Sequence, residues 1–102
     1  MSEQGPAKGV ETLDETKLRR PRLYKVILHN DDYSTMEFVT RILEKIFDLS
    51  GTEATRVMLK VHRNGVGVAG VYSREIAEMK LAEVTSASAK YEQPLQCSME
   101  PE

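Results

Sequence analysis

At 102 residues, with 40% hydrophobic and 29% charged side chains, the chain is long enough for one domain with a modest core and too apolar to stay disordered. A formal net charge of −2 gives no general attraction to nucleic acid or to an anionic membrane surface. A lone cysteine, Cys97, excludes an internal disulfide framework and a multi-cysteine metal knuckle. With no apolar signal core and no run near the roughly 18 apolar residues of a membrane span, a cytoplasmic protein is expected.

Residues 1–21 are polar, with Ala7, Val10, Leu13 and Leu18 too sparse to make a face, and predict a flexible N-terminal extension. Residues 22–102 form the expected domain. Leu23 to His29 reads as a strand, since Tyr24, Val26 and Leu28 share one side while Lys25 and His29 lie on the other, facing solvent. Asn30-Asp31-Asp32 ends it, because these side chains compete with the backbone for hydrogen bonds.

Ser34-Thr35-Met36-Glu37 has the form of a capping box, with the Ser34 hydroxyl as cap, and opens a helix carrying Met36, Val39, Leu43 and Ile46 at helical spacing. Ser50-Gly51-Thr52-Glu53 is a second box. It leads into Ala54, Val57, Met58 and Val61 on a helix that runs to about His62. Asn64-Gly65 predicts a turn, and Val66 to Tyr72 a strand. Ser73 then caps a third helix carrying Ile76, Ala77, Leu81 and Val84 and ending near Lys90. After Pro94, Leu95, Cys97 and Met99 alternate on a last strand. The order β-α-α-β-α-β predicts a single small α+β domain, a three-stranded antiparallel sheet covered on one face by three helices.

Few residues suggest chemistry. Asn30-Asp31-Asp32 lies between a buried strand and a capped helix, where a rigid scaffold projects polar groups into solvent. A plain turn ahead of a helix accounts for the same residues. His62, at the end of the second helix, is a candidate ligand contact or simply a partner for the helix dipole. Two histidines and two aspartates raise the question of a metal, but no HxH, HxxxH or HExxH spacing occurs. A GxSxG elbow and a phosphate loop are lacking too, so neither catalysis nor a cofactor is expected. Met36 and Met58 are core fillers or the walls of an adaptable apolar pocket.

The run Tyr24-Lys25-Val26-Ile27-Leu28-x-Asn30-Asp31-Asp32-Tyr33-x-x-Met36-Glu37-Phe38-Val39 resembles the signature of the ClpS adaptors of the bacterial N-degron pathway. Met58-Leu59-x-Val61-His62, Gly70-Val71-Tyr72 and Pro94-Leu95-x-Cys97-x-Met99-Glu100 extend the likeness over residues 23 to 100. The resemblance implies a non-catalytic monomer that binds proteins beginning with Leu, Phe, Tyr or Trp and delivers them to a ClpAP-type protease through the N-terminal domain of a ClpA-type unfoldase. It implies that Asn30, Asp31 and His62 hold the substrate ammonium. Leu28, Met36, Val39, Met58, Val61 and Leu95 would line the side-chain pocket. Asp32, Ser34 and Thr35 would support the loop, with the Ser34 hydroxyl near the substrate backbone, and Glu75 and Lys80 would dock the unfoldase. Two departures stand out: Ser34-Thr35 where the family usually has Thr-Pro, and His29 where an apolar residue is common. The layout also resembles the C-terminal domain of the ribosomal stalk protein, a non-catalytic interaction module that needs neither the NDD motif nor His62.

Overall fold

The computed structural model describes residues 21–102. The expected N-terminal extension, apart from Pro21, lies outside the described residues. Within them the elements are β1 (Leu23–His29), α1 (Met36–Lys45), α2 (Gly51–Asn64), β2 (Val66–Ser73), α3 (Arg74–Lys90) and β3 (Gln96–Pro101). The order along the chain is the β-α-α-β-α-β of an α+β domain. None of the described helices is long and apolar enough to cross a membrane.

The sheet runs β2-β1-β3, with the first strand central and antiparallel to both neighbours. Its alternation sorts the faces. Val26 and Leu28 are 0% exposed beneath the helices, whereas Val66, Val68 and Val71 on β2 remain largely exposed on the opposite face. Between the pairs Val26–Gly70 and Ile27–Val68, Ala69 is an extra residue on β2, a bulge that turns its methyl into the core.

The core joins Val26 and Leu28 to Leu43 and Phe47, to Ala54, Val57, Met58 and Val61 of α2, and to Ala77 and Val84 of α3. In α3, Ala77, Leu81 and Val84 follow the helical repeat and turn inward. Ile76 lies a quarter turn off that stripe and is 41% exposed.

The caps follow the sequence with one correction. Ser50 accepts from the Glu53 N–H and Ser73 from the Ile76 N–H, as their spacing predicts. At α1 the cap is Thr35, whose Oγ1 accepts from the Phe38 N–H at 3.0 Å. Ser34 is not the cap, because its hydroxyl is turned into the protein. α2 ends at Gly65, left-handed at φ 89°, whose N–H reaches the Val61 carbonyl, so the helix runs two residues beyond His62. His29 is half-buried rather than solvent-facing. Its Nε2 is hydrogen-bonded to Ser98 Oγ at 2.7 Å across β1 and β3.

Candidate functional site

The site is built where β1 runs out. The Asn30 N–H donates to the Gly65 carbonyl at 2.9 Å, which fastens the start of the loop to the end of α2. His62 stands in the last turn of that helix, so this single bond brings Asn30 and His62 to the same edge of the molecule. Asn30, Asp32 and His62 are all exposed, and none of their side chains is hydrogen-bonded to another described residue. Two carbonyl-type acceptors and an imidazole thus face solvent from two elements held together by the backbone.

Asp31 is placed differently. Its Oδ1 accepts from the Tyr33 N–H at 2.8 Å and the Ser34 N–H at 2.6 Å, closing an Asx turn. Burial alone would raise its pKa. The Ser34 and Tyr33 N–H groups, helped by the nearby Ser34 hydroxyl, outweigh it and hold the carboxyl below its ordinary range. The other carboxylate oxygen, Oδ2, and the Ser34 Oγ are buried with no hydrogen-bond partner of good geometry among the described residues. The structure therefore gives Asp31 the internal, loop-holding position, and leaves Asp32 facing outward.

Five of the six apolar residues named from the sequence meet. Leu28, Val39, Met58, Val61 and Leu95 belong to one buried cluster, while Met36 is 46% exposed in the first turn of α1. Leu28 pairs with Gly67 on β2, and Val61 packs directly over that glycine. The stripe of α2 therefore bears on the sheet immediately below His62. A groove of about 430 Å³ lies elsewhere, between α1 and the end of α3, lined by Phe38, Ile42, Ile46 and Tyr91. It holds none of the three solvent-facing acceptors and shares only Thr35 with the site residues expected from the sequence. Chemistry rather than volume marks the candidate site.

The two α3 residues separate as well. Glu75 is exposed. Lys80 is half-buried, donating from Nζ to the Ile46 carbonyl at 2.6 Å at the end of α1, and its ammonium stands 5.7 Å from the Tyr72 ring centroid. That is a structural engagement which sequence spacing does not reveal. Sequence reasoning also missed Gln93, whose Oε1 accepts from the Thr35 N–H at 3.0 Å across 58 positions of chain. No local signal points to it.

Cys97 is a free cysteine whose thiolate is disfavoured at neutral pH. It is half-buried on β3, and burial pushes its thiol up to about 11.

Comparison with known proteins places the chain in a family. The family described as ATP-dependent Clp protease adaptor protein ClpS matches residues 19–98. A ClpS adapter of Desulfatibacillum aliphaticivorans is 58% identical over 86 residues, 84% of this chain and 83% of the relative. One from Myxococcus xanthus is 51% identical over 92 residues, covering 90% and 86%. Among solved structures, Agrobacterium tumefaciens ClpS2 bound to L-phenylalaninamide superposes with a TM-score of 0.78 at 46% identity, over 81% of this chain and 100% of that one. Identity of this extent decides between the two resemblances that the layout alone leaves open, and the chain belongs to the ClpS family of ATP-dependent Clp protease adaptors.

Proposed function

We propose that the protein is an N-degron adaptor that captures the free amino terminus of a substrate beginning with Leu, Phe, Tyr or Trp. It passes that substrate to a ClpA-type AAA+ unfoldase in the cytoplasm, as a monomer and without catalysis. The observation that carries this reading is the trio of solvent-facing acceptors, Asn30, Asp32 and His62, held together by the Asn30 N–H to Gly65 carbonyl bond. An α-ammonium brings three donors and a positive charge. The Asn30 carbonyl, the Asp32 carboxylate and a neutral His62 nitrogen are three matching acceptors. Each charge-assisted bond is worth about 1.5–3 kcal/mol. Asp31 organises the loop rather than meeting the ligand, because its Oδ1 is engaged by two N–H groups and its Oδ2 has no exposed surface.

The side chain of the first residue enters beside Met36, against Leu28, Val39, Met58, Val61 and Leu95, gaining about 1.5–3 kcal/mol if fully buried. The phenylalaninamide on the Agrobacterium ClpS2 has the chemistry this site asks for, a free α-amine next to an aromatic side chain. Unfoldase docking falls to exposed Glu75 on α3, with Lys80 fixing the helix from behind.

The test compares a peptide beginning with free Leu or Phe, its acetylated twin and a Gly-started control. The free-amine Leu and Phe peptides should bind, and the other two should bind at least tenfold more weakly, as expected for losing about 1.4 kcal/mol or more. Equal binding of all three would overturn the reading.

A further inference from the structure

We infer that Gln93 is a positioning residue for the binding site, and that its side chain sets the spacing between Met36 and Leu95. This rests on the adaptor reading above and adds a residue to it. Thr35 caps α1 with its hydroxyl, which leaves its own N–H pointing away from the helix with nothing in α1 to receive it. Gln93 Oε1 accepts that N–H at 3.0 Å. The acceptor is itself well anchored. The Gln93 N–H donates to the Ser88 carbonyl at 2.9 Å, and the Ser88 hydroxyl donates to the Leu95 carbonyl at 2.9 Å. The connection 93–95 is therefore strapped to the end of α3 on both sides of Pro94. Phe38 and Tyr91 meet along the same seam, with ring centroids 6.1 Å apart.

The consequence is geometric. Leu95, 4% exposed, is one wall of the apolar cluster and lies two residues beyond Gln93. Met36 follows Thr35 directly as the first residue of α1. The carboxamide joins the strap bearing the first to the cap bearing the second. It also steadies the far end of the loop whose near end is fixed by the Asn30 N–H. Thr35 sits at φ −76°, a value proline adopts without strain, so proline at this position would fix the backbone and remove the donor together. A residue with an N–H at position 35 needs an acceptor opposite, and Gln93 is that acceptor.

The experiment measures binding of L-phenylalaninamide, a free Leu-started peptide and its acetylated twin to five chains: wild type, Gln93→Leu, Gln93→Glu, Thr35→Pro, and Thr35→Pro combined with Gln93→Leu. Gln93→Leu should weaken binding about fivefold, the size of one neutral hydrogen bond, through faster release. Gln93→Glu keeps an acceptor and should stay within about twofold of wild type. In the Thr35→Pro background Gln93→Leu should have no further effect, because the N–H is gone. In the ligand-free chain, amide hydrogen exchange at Ser34 and Thr35 should accelerate in Gln93→Leu and not in Gln93→Glu. An equal loss from Gln93→Leu with and without Thr35→Pro overturns the inference, as does unchanged affinity and exchange in Gln93→Leu, or a melting shift with affinity intact. Wild type failing to distinguish free from acetylated peptide overturns the adaptor reading instead, and the exchange comparison still decides the role of Gln93.

Discussion

A β-carbon placed on Gly67 would stand 2.7 Å from Val61 Cγ2 and 3.4 Å from the Val57 carbonyl oxygen. The second helix thus lies on the sheet at a distance only glycine allows, and His62 is the next residue along that helix.

Gly67→Ala is therefore expected to lift α2 or force Val61 from its rotamer, at about 1–3 kcal/mol of stability, the usual range for overpacking. Because His62 moves with Val61, free-amine peptide binding should weaken together with the denaturation midpoint. Urea unfolding and peptide titration on the same sample check both. A variant as stable as wild type would show that the sheet yields instead of the helix.

The adjacent aspartates should separate two kinds of loss. Asp32→Ala removes an exposed carboxylate, so it should cost at least tenfold in affinity while the melting temperature barely moves. Asp31→Ala leaves the Tyr33 and Ser34 N–H groups without their acceptor and should lower both affinity and stability. Calorimetric binding beside thermal melts distinguishes them, and the reverse pattern would return Asp31 to the ligand.

Acid should reach Asp31 in a defined window. Its folded pKa lies below the unfolded value of about 3.9, so the group stabilises the fold above that value, and the contribution fades as pH falls from there through the folded pKa. Asp31→Asn, with no proton to take up, should flatten the part of the stability profile below about pH 4. The group is partly solvated, so the effect is modest. Urea midpoints across that range measure it, and parallel curves for the two proteins would refute the assignment.

Glu75 and Lys80 should likewise part company. Lys80→Ala strips the charged donor from the Ile46 carbonyl and should destabilise the fold by about 1–2 kcal/mol. Glu75→Ala should leave stability within about 0.5 kcal/mol and act only on association with the N-terminal domain of the unfoldase. Melting curves and pull-down with that domain, run on both variants, separate the roles.

What the sequence disclosed follows from locality. The caps at Ser50 and Ser73, the glycine stop at residue 65 and the two-residue alternation of β1 all depend on neighbours within four positions. The α1 cap was one residue off because Ser34 and Thr35 offer the same hydroxyl, and only tertiary packing turns the first inward. The same ambiguity hid which aspartate closes the Asx turn and which faces solvent, since two identical side chains in one turn differ only in where the turn points them. The His29–Ser98, Lys80–Ile46 and Thr35–Gln93 bonds join residues 69, 34 and 58 positions apart, beyond any local pattern.

The central place of β1 has a mechanical consequence. β1, the first strand of the described residues, is hydrogen-bonded antiparallel along both edges, and the Glu102 N–H clasps the Leu23 carbonyl at its entrance. A tug on the leading end loads both ladders in shear, so their bonds must give way together instead of peeling one after another. Traction from the other end meets β3, an edge strand fastened along one side only. The domain is tougher when hauled by its front than by its back.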